Sequence, residues 1–180
     1  MFFTKYFNDI SQNLHSVDLS LLQDSANLIL SASQNKNKII FVGNGGSASI
    51  ASHLVVDSIN AAGIRATNFS DPGIITCFAN DYGYENWVSK ALDCYADQGD
   101  VVCLISSSGQ SNNMLTAAKK AKLMGLNVIT LTGFSNDNPL RKLGDINFWL
   151  NSDKYNTVEM VHHIWLLSIV DCLIELKKEF

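Results

Sequence analysis

Two short loops in this sequence carry the residue types that grip an anion: Gly43-Asn44-Gly45-Gly46-Ser47 and Ser106-Ser107-Ser108-Gly109-Gln110-Ser111. In the first, glycines let the backbone turn sharply and bring its N–H groups against a charged group, while the start of a following helix adds positive potential. In the second, hydroxyls, a glycine and helix-start amides form an uncharged cradle suited to a phosphate dianion. Ser111 alone could serve as the N-cap of the helix after it. One serine meets that need, whereas Ser106, Ser107, Ser108 and Ser111 exceed it, which favours phosphate. The run Gly43 to Ala48 also satisfies G-x-G-x-x-A, a dinucleotide fingerprint. That reading wants an acidic residue about 20 positions on. Asp71 lies 28 residues after Gly43 and beside Pro72, so the nucleotide reading is the weaker.

The elements that must position these loops follow from periodicity. Phe3, Phe7, Ile10 and Leu14 recur at helical spacing, and so do Leu21, Leu22, Ala26, Leu28, Ile29 and Leu30. Short β-branched runs then read as strands at Lys38–Val42, Arg65–Phe69, Val101–Ile105, Val128–Thr132 and Ile146–Leu150. Helical patterns separate them at about Ser47–Ala61, Tyr84–Tyr95, Asn112–Met124 and Asn138–Leu143, and a helix of roughly Thr157–Lys177 closes the chain. Nearly continuous apolar strands alternating with helices predict a five-stranded parallel sheet covered on both faces. The expected fold is therefore α/β, a three-layer αβα sandwich in one domain over residues 1–180, with extra N-terminal helices. Ligands of such sheets sit beyond the carboxyl ends of the strands where chain order reverses, and both loops fall at strand ends.

Composition narrows the function. A chain of 180 residues, 47% hydrophobic and 17% charged, has room for one full core. Its formal net charge of -4, with no Lys/Arg run, argues against direct nucleic-acid binding. Cys77, Cys94, Cys103 and Cys172 have no metal-finger or CxxC spacing and read as buried, reduced thiols. The first residues lack the basic start and apolar run of a signal peptide. The apolar stretch near Ile164–Ile174 is broken by Ser168 and Asp171, so no membrane association and a cytoplasmic setting are expected. Trp87, Trp149 and Trp165 read as core or interface, and Glu175, Lys177, Lys178 and Glu179 as a solvated helix end. Arg65 and Arg141 could neutralise a ligand charge, though no spacing requires it.

The two loops, with Ala79-Asn80-Asp81-Tyr82-Gly83 between them and Thr130-Leu131-Thr132-Gly133 after them, resemble the sugar isomerase (SIS) domain. Within it the resemblance is to the phosphoheptose isomerases, which interconvert sedoheptulose 7-phosphate and a manno-heptose 7-phosphate, and it spans essentially the whole chain. It implies that Ser106, Ser108 and Ser111 hold the phosphate with Ser107 close by, although Gln110 stands where the family usually has Asn. It implies further that Asn44, Gly45, Ser47 and Asp81 line the sugar, and that the chain forms a homotetramer with shared sites.

An aldose–ketose isomerase moves a proton between C1 and C2 through an enediolate, which needs a base and a means of stabilising the oxyanion. In the family a His and a Glu one turn apart, and a Gln and a His on the last helix, commonly hold zinc. Here the first pair is His53 and Asp57, on one helix face at i,i+4. Glu159 occupies the Gln position, His162 matches a common family histidine, and Leu167 replaces the second His. His163 lies one turn before Leu167. The resemblance therefore implies a rearranged cluster of Glu159, His163, His53 and Asp57, with Asp57 and His163 as catalytic candidates. His53, Asp57 and Glu159 are the candidate metal ligands, but zinc is not expected. Three functions follow: a heptose-phosphate isomerase, an isomerase in surface-polysaccharide synthesis acting on another sugar phosphate, or a non-catalytic SIS protein. Proteins of the last kind that lack the same histidine include partners of the replication initiator DnaA.

Overall fold

The computed structural model describes residues 1–178, so Glu179 lies outside the described residues. Helices α1 (Phe2–Leu14) and α2 (Leu19–Gln34) lead into β1 (Ile39–Gly43), α3 (Gly46–Asn60) and β2 (Ala66–Thr67). The chain continues through α4 (Pro72–Tyr82), α5 (Trp87–Tyr95), β3 (Val101–Ser106), α6 (Asn112–Leu123) and β4 (Asn127–Thr132). A 3-10 turn (Leu140–Lys142), β5 (Ile146–Trp149) and α7 (Tyr155–Lys178) complete it. The five strands are all parallel, in the order β2-β1-β3-β4-β5. The order reverses between β1 and β3, and that switch is where the two loops emerge side by side.

Alternation along each strand divides the interior into two cores. Ile39, Phe41, Val101, Cys103, Ile105, Ile129 and Leu131 face α2, α3 and α7. Ile40, Val42, Val102, Leu104 and Val128 face α5 and α6. Every residue of β1 and β3 is buried, which is why these segments read as unbroken apolar runs. The helix α7 is long and apolar enough to cross a membrane by length and composition, but half of that stretch is buried here, as befits a core helix.

Five expectations need correction. The second strand shrinks from Arg65–Phe69 to Ala66–Thr67, because only Ile39 and Ile40 of β1 lie in register with it and Phe69 turns into the core beside α5. The helix α4 was not anticipated. Asp71 caps it by accepting the Ile74 N–H at 3.0 Å, Pro72 opens it, and Gly83 at φ 85° ends it. The expected helix Asn138–Leu143 is a single 3-10 turn. Finally, Cys77 and Cys94 are exposed, whereas Cys103 is fully buried and burial raises its thiol pKa far above the usual range. Lys177 is also more than a solvated tail, since its Nζ donates to the carbonyls of Ala62 and Gly63 at 2.9 and 3.0 Å and ties α7 to the end of α3.

Candidate functional site

The loop after β1 and the loop after β3 enclose a cavity of about 270 Å³, closed on a third side by Tyr155 and Glu159 at the start of α7. Asn44, Gly45, Ser47, Ser106, Ser107, Ser108, Ser111 and Glu159 all line it, together with Gly46. Asp81 does not. It sits at the exposed end of α4, where it accepts a 2.9 Å hydrogen bond from the Asn80 amide. Asp71 is spent on capping α4, which leaves the glycine loop without the acidic partner of a dinucleotide site.

The serine loop displays donors that the protein itself does not use. The N-cap position of α6 belongs to Ser111, yet its side chain makes no capping bond. Its Oγ lies instead 3.5 Å from Ser106 Oγ, inside the cavity. The first-turn amides of α6 thus lack a side-chain cap, and the positive end of the helix is aimed at the cavity. Ser107 Oγ is buried without a hydrogen-bond partner among the described residues. A buried hydroxyl left unpaired costs about 1–3 kcal/mol, an expense that an anion in the cavity would remove. No Lys or Arg among the described residues lines the cavity. Arg65 bonds the Lys36 carbonyl, and Arg141 bonds the Asn136 carbonyl and stacks over Trp149. An anion here would be held by dipoles rather than by a counter-charge.

A side-chain bridge joins the two loops. Asn44 Nδ2 donates to Asn113 Oδ1 at 3.0 Å, Asn113 Nδ2 donates to Asn44 Oδ1 at 2.8 Å, and the Tyr84 hydroxyl adds a third bond to Asn44 Oδ1 at 3.2 Å. Asn113, Tyr84 and Tyr155 escaped sequence reasoning. An asparagine in the first turn of a helix looks like part of its start, and only its 2% exposure reveals a structural task.

Glu159 is pressed against Gly46, where a methyl group would overlap its carboxylate. This places the negative charge at the glycine-loop side of the cavity. The histidines lie farther along the same pair of helices. His53 Nδ1 is 2.9 Å from His163 Nε2, the rings meet edge to face, and His53 Nε2 is 3.1 Å from Asp57 Oδ2. With Asp57 accepting the Nε2–H of His53, the Nδ1 of His53 is left as an acceptor for His163 Nε2–H. That order keeps His163 Nδ1 as the basic nitrogen of the chain. Partial burial and the neighbouring His53 ring lower the His163 pKa below its ordinary value, against an opposing pull from Asp57. The lowering favours the neutral imidazole.

The cluster is thus split. His53, Asp57 and His163 are linked, whereas Glu159 stands one turn earlier on α7 and faces Gly46. The donor set does not suit a metal within one chain. Both ring nitrogens of His53 are already engaged, Leu167 packs against the apolar core, and among the described residues no three His, Cys, Asp or Glu side chains are arranged to hold an ion. His162 faces the other way. It is fully buried, its Nε2 lies 3.1 Å from the Thr132 carbonyl, and burial lowers its pKa to about 4.

Comparison with known proteins gives a consistent picture. The SIS domain family matches residues 3–133. A phosphoheptose isomerase of Helicobacter pylori is 31% identical over 91% of this chain and 88% of its own length. That of Glaesserella parasuis is 32% identical over 93% and 88%. Among solved structures, a phosphoheptose isomerase of Neisseria gonorrhoeae superposes with a TM-score of 0.85 at 28% identity, covering 94% of this chain and 96% of that one.

Proposed function

The chain belongs to the SIS domain family and, within it, to the phosphoheptose isomerases, and from that membership we propose that it converts sedoheptulose 7-phosphate to D-glycero-D-manno-heptose 7-phosphate. The observation that carries the reading is the cavity itself. Unused hydroxyls and helix-start amides lie on one side of it, and a carboxylate lies on the other.

In this reading the phosphate rests on Ser106, Ser107, Ser108 and Ser111, and the sugar runs past Asn44 and Ser47 toward α3 and α7. Isomerisation removes a proton from C1 of the open-chain ketose, passes through an enediolate, and returns a proton to C2. The C1 hydroxyl becomes the carbonyl and the C2 carbonyl becomes the hydroxyl, so no atom is gained or lost. In this reading His163, one turn beyond Glu159 on α7 and held in one tautomer by His53 and, through it, by Asp57, serves as the base at that end. Glu159 lines the cavity one turn nearer the serine loop, which supports a role in bonding the sugar hydroxyls.

The same reading includes a homotetramer, a cytoplasmic setting and a role in surface-polysaccharide synthesis. The outer apolar side chains support an oligomer: Phe2, Phe3 and Phe7 on α1 are exposed, as are Val56 and Ile59 on α3 and Met160 and Ile164 on α7, on the two helices that carry the histidine pair. A second reading rests on one observation. Leu167, where the family's second histidine is expected, is packed with the apolar core, as it would be in a non-catalytic SIS protein that binds a sugar phosphate or associates with DnaA.

Incubation with sedoheptulose 7-phosphate, followed by NMR for the aldose, tests the proposal. Aldose signals that grow with enzyme concentration are expected. No turnover with or without added zinc, together with retention of DnaA at physiological salt, would favour the second reading.

A further inference from the structure

The serine loop is shaped from outside, by the segment that follows β4. Gly133 N–H donates to the Ser107 carbonyl at 2.8 Å, and Leu140 N–H donates to the Gly109 carbonyl at 3.1 Å, so the segment holds the loop at two points. Asn138 closes the segment between them. Its Nδ2 donates to Thr132 Oγ1 at 3.1 Å and to the Ser135 carbonyl at 2.8 Å, and its Oδ1 accepts the Arg141 N–H at 3.0 Å. The side chain is 1% exposed. Gly109, at φ 64°, lies directly over it, and a methyl group there would overlap Asn138 Oδ1. Two requirements thus meet at Gly109: a left-handed backbone and bare space above the amide.

We propose that Asn138 is a positioning residue for phosphate, acting through Gly109 and Ser107 to hold the serine loop with its amides and hydroxyls turned into the cavity. The inference rests on the serine loop being the phosphate site. Carbonyls of Ser107 and Gly109 that are bonded outward cannot turn toward an anion; the Gly109 N–H is held by the Ser106 carbonyl at 3.0 Å, and the Ser108 N–H, which no described residue accepts, is left for the anion. Without the Asn138 staple the segment from Thr132 to Arg141 loses four hydrogen bonds, and the loop loses the surface that fixes Gly109.

Inorganic phosphate binding, followed by calorimetry, and steady-state kinetics with sedoheptulose 7-phosphate test this in the full chain. Asn138→Ala is expected to raise both the phosphate Kd and the KM about tenfold while kcat stays within about twofold. Thr132→Val removes the buried hydroxyl that Asn138 donates to and should raise both constants about threefold, whereas Thr132→Ser, which keeps the hydroxyl, should bind as the parent does. If Asn138→Ala does not fold, the Val/Ser pair at position 132 decides. Folded variants that bind phosphate like the parent, or lose kcat with KM unchanged, would overturn the positioning role. If the parent binds neither phosphate nor sugar phosphate, the phosphate reading itself fails and takes this inference with it.

Discussion

Asn44 and Asn113 exchange two hydrogen bonds, at 3.0 and 2.8 Å, across the gap between the loop after β1 and the first turn of α6. Each amide satisfies the other, so side chains bridge the two walls of the cavity beyond the last β1–β3 pair, Gly43 and Ile105. Asn113→Ala should strand the amide donor of Asn44 and leave its oxygen with the Tyr84 hydroxyl alone. We expect a loss of about 2–3 kcal/mol in urea unfolding and a phosphate Kd raised roughly tenfold. Asn113→Asp, which removes one donor and adds a charge beside the anion site, should bind phosphate still more weakly.

Ser107 gives the opposite balance of stability and binding. Its hydroxyl is buried without a partner, so Ser107→Ala should leave the unfolding midpoint unchanged or raise it slightly. The same variant should bind phosphate about tenfold more weakly, as expected for one lost hydrogen bond to a charged group. Calorimetric titration beside a denaturation curve checks both halves.

Gly46 and Glu159 should behave as a coupled pair. A methyl group at Gly46 meets the Glu159 carboxylate, so Gly46→Ala should destabilise the chain and displace Glu159. Combining it with Glu159→Ala should recover much of that stability, giving a coupling energy of about 1 kcal/mol or more in a double-mutant cycle. Additive effects would show that the carboxylate is not held there.

Removal of the His163 imidazole should lower kcat on sedoheptulose 7-phosphate by about 100-fold or more, within the range of general base catalysis. Phosphate affinity should be nearly unchanged, because His163 does not line the cavity. His53→Ala should produce a smaller loss through the freed His163 ring. Rates measured against pH should fall on the acid side, below the ordinary histidine value, since His163 must be neutral to act and its pKa is lowered.

Burial of His162 ties stability to pH. Its folded pKa, about 4, lies below the ordinary 6.5. At pH 7 both folded and unfolded chains hold it neutral. As pH falls through 6.5 the unfolded chain takes up a proton that the folded chain refuses, and stability declines until about pH 4. The loss is about 3 kcal/mol. His162→Gln, which can still donate to the Thr132 carbonyl, should flatten that part of the pH–stability curve measured by chemical denaturation.

Much of the architecture is legible in the residues because β1 and β3 are buried on both faces and read as nearly continuous apolar runs. The helix α4 is not, because none of its residues is fully buried and Gly73-Ile74-Ile75-Thr76-Cys77 carries no clear stripe. The loops announce themselves by clustering glycine and serine at strand ends. The separation of Glu159 from the histidines could not be read the same way. At i,i+4 on α7 they share a face, and only the position of α3 decides that one meets Gly46 and the other His53. Asn138 is hidden for a related reason, since a buried staple and an ordinary turn asparagine have the same local sequence.

The attachment of α7 at both ends has a consequence for selectivity. Its first turns rest on the start of α3 through Glu159 and Gly46, and Lys177 grips the carbonyls just beyond the end of α3. A helix pinned in this way works as a yardstick. Glu159 and His163 are separated by a fixed rise of about 6 Å, and a phosphate held on the serine loop, as proposed, would lie beyond Glu159. Carbon count would then be measured by reach: a shorter sugar phosphate must let go of either the serine loop or the histidine pair. Discrimination by length would need no contact dedicated to it.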